Sequence, residues 1–420
     1  MIYSLRKQCV DAILMLMLIL STGGLLFVFN RNIASLFFLI FILFVLIFME
    51  EKWKKSTLNS IVITFSTLFF MGIINYYFSI TEQIANKYFF HLLTITLASL
   101  LLLHFKNNRT HQQLTRSLYI ALGLIVFHSF FNFIAYFFLK DNLIIITSAY
   151  HECETFMNIF FYSTERATAS LYGFEFCRNQ GLFWEPGVLQ VFLNMFFFLE
   201  AFIIKKRKFL LFLTAVLILT TYSTTGLALL LIQFTVYLFN EYKANKWLRP
   251  FVLVLGIPIY MIFSFNIEEK ILGDKEWSFQ KRYFDLVQPF FIALEHPLTG
   301  IGSDVEQFQS MRQEFFIFSS SLNTLQEKTG VESKVSSTDK GSSNSITFLM
   351  AAMGFPTAIL LIYMFFKQQI INDKKWLWMF IMVVSVMSEP LLLKPFFFLF
   401  IVSGFTYVYY KMTSHKQQIG

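Results

Sequence analysis

The chain has 420 residues, of which 56% are hydrophobic and 14% are charged, and its formal net charge is +8. Apolar runs close to twenty residues long recur from end to end, and about twenty such residues are what a helix needs to cross a bilayer. These features exclude a set of soluble domains. They also favour transmembrane helices over a β-barrel, whose strands would alternate apolar and polar residues in short segments.

The predicted fold class is all-α: a polytopic integral membrane protein with about twelve transmembrane helices and two long extracytoplasmic loops. Each predicted span is bounded by polar or charged residues. In chain order the spans cover about 10–29, 33–49, 57–79, 88–105, 117–139, 187–204, 209–222, 225–240, 250–266, 345–366, 376–390 and 395–410.

The orientation follows from the lysines and arginines. With a cytoplasmic N-terminus, 20 of them fall in the predicted inside segments and only 3 in the short outside turns. Basic residues collect on the cytoplasmic side of membrane proteins, so both termini are predicted to be cytoplasmic. Because the basic residues lie in loops between spans, the positive charge does not indicate a nucleic-acid partner.

The spans and loops divide the chain into five segments. In order these are 1–139 with five spans, 140–186 as the first long extracytoplasmic loop, 187–266 with four spans, 267–344 as the second long extracytoplasmic loop, and 345–420 with three spans and a cytoplasmic tail. The second loop is rich in Ser, Thr, Lys and Glu from Ser319 to Ser345. That composition cannot bury a core, so part of this loop is predicted to be mobile.

The first long loop ends in Arg178-Asn179-Gln180-Gly181-Leu182-Phe183-Trp184-Glu185-Pro186-Gly187. Proline is favoured at the first position of a helix, so a helix is predicted to begin at Pro186. Arg178 and Glu185 would then lie beside a helix N-terminus, where anions are commonly bound. Structural anchoring of the loop is the alternative role for this pair.

Two further features of the first loop allow more than one interpretation. His151-Glu152-Cys153-Glu154 has metal-ligand residue types, but no second cluster at ligand spacing follows, so a solvated helix start is favoured and no metal is inferred. Cys153 and Cys177 share the loop, and the sequence leaves open whether they form a disulfide.

The second long loop carries its candidate residues on both sides of a helical pattern. Arg282 precedes the apolar positions Phe284, Val287, Phe291 and Leu294, and His296 follows them in His296-Pro297-Leu298-Thr299-Gly300-Ile301-Gly302. Asn344 stands directly before the next span, where a helix cap is common. A surface cation, a turn residue before proline and a simple cap are the alternative roles of Arg282, His296 and Asn344.

Taken together, these motifs resemble the O-antigen polymerase and O-antigen ligase superfamily of bacterial envelope enzymes. The resemblance covers about residues 170–370. It rests on Arg178-x-x-Gly181-x-Phe183-x-Glu185-Pro186-Gly187, then His296-Pro297-Leu298-x-Gly300-Ile301-Gly302, then Asn344 at the start of a span with Gly354 ten residues on.

The resemblance implies an inverting glycosyltransferase in the bacterial cytoplasmic membrane. Its donor would be an undecaprenyl-pyrophosphate-linked oligosaccharide, and its acceptor a sugar hydroxyl at the outer face. Its other partners would be membrane lipid and two proteins of the same pathway, a chain-length regulator and a flippase. The sequence has no Asp-x-Asp motif, so neither a metal nor another cofactor is expected.

The residue roles follow from the departure of a pyrophosphate. Arginine never deprotonates and offers bidentate donors to phosphate, so Arg178 and Arg282 are the catalytic candidates for stabilising the leaving group. Glu185 or His296 would act as the general base for the acceptor hydroxyl. The remaining substrate-binding candidates are Arg166, Arg312 and Asn344.

Two departures bear on the type of enzyme. Ligases commonly carry a histidine immediately before the asparagine that opens the late span, where this chain has Ser343. Family members often carry an arginine in the turn of the short spans, where this chain has Thr224. The missing histidine favours a repeat-unit polymerase over a ligase, and a transporter or flippase of lipid-linked sugars is the third hypothesis.

Overall fold

A computed structural model of the chain describes residues 5–49, 53–148, 151–164, 168–171, 174–204, 207–241, 276–318 and 342–419, with a few single positions between them. Its described part is mostly helical. The predicted span 250–266, Arg166 and most of the Ser319–Ser345 stretch lie outside the described residues.

The described helices are named here in chain order. They are α1 (Leu5–Gly23), α2 (Leu25–Phe29), α3 (Arg31–Phe48), α4 (Lys55–Phe78), α5 (Ala85–Asn108), α6 (His111–Leu139), α7 (Pro186–Phe198), α8 (Lys208–Thr221), α9 (Thr224–Glu241), α10 (Glu276–Glu295), α11 (Val305–Phe318), α12 (Ser345–Phe366), α13 (Lys375–Ser388) and α14 (Pro395–Ile419).

Within the described residues, seven helices are long and apolar enough to cross a membrane, and the apolar helices α8 and α13 are shorter. The seven segments are Arg31–Phe48, Lys55–Phe78, Tyr88–Asn108, His111–Asn142, Pro186–Ile204, Ser345–Phe366 and Pro395–Thr413. The structure therefore confirms a predominantly helical membrane protein. All seven overlap predicted spans, because a run of apolar residues is a local property of the sequence.

The first long loop contains strands that the sequence analysis did not predict. β1 (Ile144–Thr147), β2 (Glu152–Phe156) and β3 (Phe160–Tyr162) form an antiparallel sheet in that order, and β4 (Thr168–Leu171) pairs antiparallel with β5 (Phe174–Cys177). The expected helix start at His151 is therefore wrong, since Glu152 begins β2. Strands this short carry too few residues for their alternation to be recognised.

Both cysteines of this loop are buried free thiols in the structure. Burial raises the pKa of the Cys153 thiol to about 12 and that of Cys177 to about 11. Cys153 packs with Leu25 and Phe161 in a small apolar cluster. The thiolate is the reactive form of cysteine. The raised pKa values keep both thiols protonated, and burial keeps reagents away from them.

We expect Cys153 and Cys177 to react slowly with a maleimide at neutral pH in the native protein, while the exposed Cys9 reacts readily. Because both pKa values are raised, the thiolate fraction should grow roughly tenfold per pH unit up to the pKa. Mass spectrometry after timed labelling at several pH values measures this, with denatured protein as the control. Equal labelling of Cys153 and Cys9 at neutral pH would contradict the prediction.

The chain forms two compact units by its internal contacts. Unit 1 comprises 1–38, 112–274 and 371–385. Its centre is α7, in which every residue from Pro186 to Phe198 is buried. A helix that is apolar on all sides must be enclosed by other elements. Phe183 stacks on Phe192 with ring centroids 4.7 Å apart, and Trp378 lies 5.1 Å from Phe198.

Unit 2 comprises 39–111, 275–370 and 386–420. Its long helices α4, α5, α12 and α14 pack on one another, and α10 lies along α12. Helix α12 is broken at Gly354, whose φ of 73° and ψ of 165° are not helical. Pro356 follows, and its missing N–H deprives the Ala352 carbonyl of its helical donor.

The loop after His296 fills the break in α12. Phe355 N donates to Pro297 O (2.8 Å), Ile301 N to Ala351 O (2.9 Å) and Gly302 N to Ala352 O (2.9 Å). The glycines of this loop are thus needed for backbone contact: a Cβ on Gly300, where φ is +70°, would lie 2.5 Å from Ala351 O.

Replacement of Gly300 by alanine should therefore lower the free energy of unfolding. The left-handed backbone alone costs a residue other than glycine about 1–3 kcal/mol. The clash with Ala351 O would add to this. Gly123→Ala is the matched control, because a Cβ there meets only Phe196 at 3.5 Å and alanine favours a helix. Thermal unfolding of both purified variants in detergent tests the prediction, which fails if the two variants melt at the same temperature.

Candidate anion site at the start of helix α12

The predicted site residues are divided between the two units. Arg178 and Glu185 belong to unit 1, whereas Arg282, His296, Arg312 and Asn344 belong to unit 2.

In unit 1, Arg178 is tied to the end of α8. Its Nε donates to Thr221 O (2.9 Å), and the next residue, Tyr222, ends the helix with a left-handed φ of 48°. Cationic side chains commonly satisfy the last carbonyl groups of a helix in this way. The contact supports the anchoring role that the sequence left open for Arg178.

Asn179 continues this anchoring inside unit 1. Its Nδ2 donates to Ser129 O (3.0 Å), and its Oδ1 accepts from Asn132 Nδ2 (3.2 Å) and from Gly181 N (3.1 Å). Asn179 is buried, so these contacts replace water for its polar atoms. The motif is thereby bonded to both α6 and α8.

Glu185 is the exposed residue at the end of the motif. It occupies the N-cap position of α7, as the sequence predicts from Pro186, but its side chain does not cap the helix. Instead Oε1 accepts from Trp184 Nε1 (3.1 Å). The carboxylate is thus held near the surface of unit 1 by a neighbouring indole.

In unit 2, the start of α12 is the point at which several predicted residues meet. Asn344 is the N-cap: its Oδ1 accepts from Ile346 N (3.0 Å) and Thr347 N (3.2 Å). This is the capping role that the sequence analysis named as the alternative for Asn344. The cap also places Ser343 and Ser345 on either side of the helix N-terminus.

Asp285 of α10 is fully buried beside Ser343. Its Oδ2 accepts from Ser343 N (2.9 Å) and from Ser343 Oγ (2.7 Å). Ser343 therefore holds this carboxylate through both its backbone and its side chain.

The backbone of Asp285 is held as firmly as its side chain. Pro289 lies four residues further along α10 and offers no N–H to the Asp285 carbonyl. Ser342 Oγ (3.0 Å) and Thr347 Oγ1 (3.1 Å) donate to that carbonyl instead. Pro289 thus removes a helical hydrogen bond at Asp285, and the free carbonyl of Asp285 accepts from residues at the start of α12 instead.

Arg312 of α11 forms an ion pair with Asp285. Its Nη2 lies 2.9 Å from Asp285 Oδ1, and the side chains are 11% and 0% exposed. Arg312 Nε also donates to Gln288 Oε1. Its Nη1 is buried without a hydrogen-bond partner among the described residues. The unused N–H donors of this guanidinium can therefore donate hydrogen bonds to an oxygen atom of a ligand.

Arg282 forms the second pair, with Glu389. Its Nη2 lies 3.6 Å from Glu389 Oε1, and Nη1 donates to Ser388 O (2.9 Å) at the end of α13. The Arg282 side chain is 44% exposed, while Glu389 is buried. Ser345 Oγ donates to Glu389 O (2.8 Å), which joins this pair to the start of α12.

Two arginine–carboxylate pairs thus flank one helix N-terminus. The helix end carries partial positive charge, and the arginines add full charges of the same sign. Each carboxylate fixes its arginine and leaves guanidinium donors available. The arrangement suits a phosphate or pyrophosphate group better than a cation.

His296 does not join this arrangement. His296 directly follows α10. It lies eleven residues after Asp285, and eleven residues of helix span about 16 Å. Its backbone N–H continues the helix by donating to Ile292 O (3.0 Å). His296 is therefore placed as a turn residue before Pro297, which is its alternative role in the sequence analysis.

Asp285, Gln288 and Ser343 are site residues that the sequence analysis missed. A charged residue among the apolar positions of α10 was the available signal for Asp285, because a buried aspartate needs a cationic partner. Among the described residues, no group of His, Cys, Asp and Glu is placed to hold a metal ion. The search for relatives finds no matching family model, characterised protein or solved structure.

Proposed function

We propose that this protein polymerises surface-polysaccharide repeat units by glycosyl transfer from an undecaprenyl-pyrophosphate-linked donor. The single observation that carries the proposal is the pair of fixed arginines, Arg282 and Arg312, at the start of a membrane helix. A lipid-linked pyrophosphate would present its charge at that depth, next to the end of a span. The motif resemblance supports the same substrate class.

In the proposed reaction, the acceptor hydroxyl oxygen attacks the anomeric carbon of the donor sugar. The bond from that carbon to the pyrophosphate oxygen breaks, and its electron pair leaves with undecaprenyl pyrophosphate. Arg282 and Arg312 stabilise the developing charge. The hydroxyl proton passes to a general base, for which the sequence candidates are Glu185 and His296. The result is inversion at the anomeric carbon.

The proposal includes the finer topology expected from the sequence. The chain would cross the bacterial cytoplasmic membrane about twelve times with both termini in the cytoplasm. The site would then face the outer side, where a flippase delivers lipid-linked units and a chain-length regulator acts on the product. Cysteine accessibility at Asn344 and at the C-terminal tail, measured from the two sides of the membrane, tests this orientation.

Reconstitution tests the activity directly. Purified protein in liposomes with several undecaprenyl-pyrophosphate-linked oligosaccharides is expected to lengthen one of them without any partner protein. The product is read as a ladder on a gel. Folded protein that lengthens none of a set of matched donors would exclude the proposed reaction.

A second candidate, transport of lipid-linked sugars, is favoured by polar residues buried within unit 1. Asn194 Nδ2 donates to Gln190 Oε1 (3.0 Å), and Gln233 Nε2 donates to Asn194 Oδ1 (2.8 Å). Polar groups within spans often mark a pathway. Transfer of a fluorescent lipid-linked oligosaccharide across the bilayer, with no lengthening, would support transport. Attachment of finished glycan to a lipid A core would instead identify a ligase.

A further inference from the structure

The β2–β3 hairpin of unit 1 makes an unusual contact with the membrane helix α6. Its turn residue Ile159 presents its carbonyl to His128 Nε2 at 2.8 Å. A carbonyl can only accept, so Nε2 carries the proton. His128 lies within the predicted span 117–139, and its hydrogen bond joins that helix to the turn of the hairpin.

The position of His128 on α6 gives the depth of this contact. Helix α6 has no charged residue from Ser117 to Leu139, a stretch of about 35 Å at 1.5 Å per residue. His128 lies at the middle of that stretch, eleven residues from either end. A bilayer core is about 30 Å thick, so the hairpin turn reaches deep into the hydrocarbon region.

A second contact fixes the hairpin one helical turn closer to the end of α6. Phe161 N donates to Asn132 Oδ1 (2.9 Å), and Asn132 Nδ2 donates to Phe161 O (3.1 Å). Tyr162 Oη donates to Asn132 O (3.0 Å). Successive hairpin residues therefore follow the helix toward its C-terminal end, so the hairpin lies along α6.

Several polar groups of the hairpin backbone have partners, as a membrane requires. Backbone outside a helix or barrel is tolerated in hydrocarbon only where its polar groups are satisfied. Besides the bonds from α6, Ile159 N donates to Phe156 O (3.0 Å) and Thr155 Oγ1 to Phe160 O (2.9 Å). His128 and Asn132 are thus the polar residues that make an inserted hairpin possible.

Two of the three exposed side chains at the turn are apolar. Met157 is 72% exposed and Ile159 54% exposed, and the third, Asn158, is polar but uncharged. The neighbouring Phe127 and Phe131 of α6 are also exposed. No charged residue occurs from Thr155 to Tyr162, whereas Glu152 and Glu154 lie toward the opposite end of β2. The hairpin is thus uncharged at its turn and charged at its far end.

One turn residue has an unfavourable backbone. Met157 and Asn158 both have left-handed backbones, with φ of 52° and 56°. Asparagine tolerates such a φ, whereas methionine adopts it at a cost in backbone energy. A methionine here is better explained by contacts of its side chain than by the turn.

We propose that the β2–β3 hairpin is a re-entrant element whose turn, Met157–Ile159, lies among the acyl chains of the membrane leaflet at the C-terminal end of α6. Lipid chains cover the exposed surface formed by Met157 and Ile159, continuous with the lipid-facing Phe127 and Phe131. Asn132 also bonds to Asn179, so the inserted hairpin supports the loop that carries Arg178. The insertion does not depend on the reaction proposed above.

Site-directed fluorescence tests the insertion. In the full chain with Cys9→Ser, the variants Ile159→Cys and Ser148→Cys are labelled with an environment-sensitive dye and reconstituted in phosphatidylcholine liposomes. Ser148 lies at the far end of the sheet, bonded to His151. We expect the emission of the dye at position 159 to be blue-shifted, quenched by spin labels on the acyl chains and protected from iodide. The emission of the dye at position 148 should be quenched by iodide and not by the acyl-chain spin labels, with no blue shift.

Two results would overturn the insertion. Iodide quenching at position 159 equal to that at position 148 would place the turn in water. Protection from both iodide and acyl-chain spin labels would place it against protein. Met157→Cys provides a second probe if Ile159→Cys folds poorly, and undisturbed folding of each variant is checked by its melting temperature before labelling.

Discussion

Replacing Arg312 with methionine is expected to lower the free energy of unfolding by about 3–5 kcal/mol, the usual effect of removing one partner of a buried ion pair. Asp285 is 0% exposed and would keep a charge without its cation. Its remaining donors, Ser343 N and Ser343 Oγ, cannot neutralise it. Thermal or SDS-induced unfolding of the purified variant measures the loss.

A double variant separates stability from function at this pair. Arg312→Met combined with Asp285→Leu removes both charges, and such replacements are often neutral for stability. We expect the double variant to recover much of the lost stability while glycan lengthening stays absent. Recovery of both properties would show that Arg312 only supports the fold.

Replacing Arg282 with alanine should have the opposite balance of effects. Its side chain is 44% exposed and its Nη2 lies 3.6 Å from the buried Glu389 Oε1, a longer and wetter pair than Arg312 and Asp285. Loss of Arg282 should therefore lower stability less than loss of Arg312. Loss of one donor that stabilises a developing anion commonly lowers the rate by about 100- to 1,000-fold. The expected result is a folded protein with a reduced rate of glycan lengthening and a small change in donor affinity.

Arg282→Lys and Arg116→Ala are the matched controls for this experiment. Lysine keeps the charge but lacks the planar bidentate donors, so partial recovery is expected. Arg116 is an exposed arginine of α6 in the other unit, and its loss should leave the rate unchanged. A normal rate for Arg282→Ala, with normal protein levels, would remove Arg282 from the site.

The membrane helices could be predicted because each depends on a continuous stretch of apolar residues. The caps were equally local: Pro186 begins α7, and Asn344 caps α12 by accepting from the N–H groups of Ile346 and Thr347. The short strands were missed because three to five residues carry too little pattern. The helix start that was favoured for His151–Glu154 is replaced by β2 in the structure.

The roles of the motif residues were less predictable than their positions. Gly300 was recognised as part of a motif, but its contact with Ala351 depends on a break in α12 about fifty residues later in the chain. Arg178 was assigned to an anion, and the structure shows its Nε on the Thr221 carbonyl. Such contacts join residues that are far apart in sequence.

The sequence alone determined that this is a helical membrane protein, and it predicted Asn344 directly before a span, with Arg282 and Arg312 in the loop that precedes it. It could do so because hydropathy, capping and charge placement act over a few residues. Only the tertiary structure decided that Asp285 and Glu389 hold the two arginines beside α12. The reason is physical: a buried charge is stable only with its partner, and packing brings that partner from a distant part of the chain.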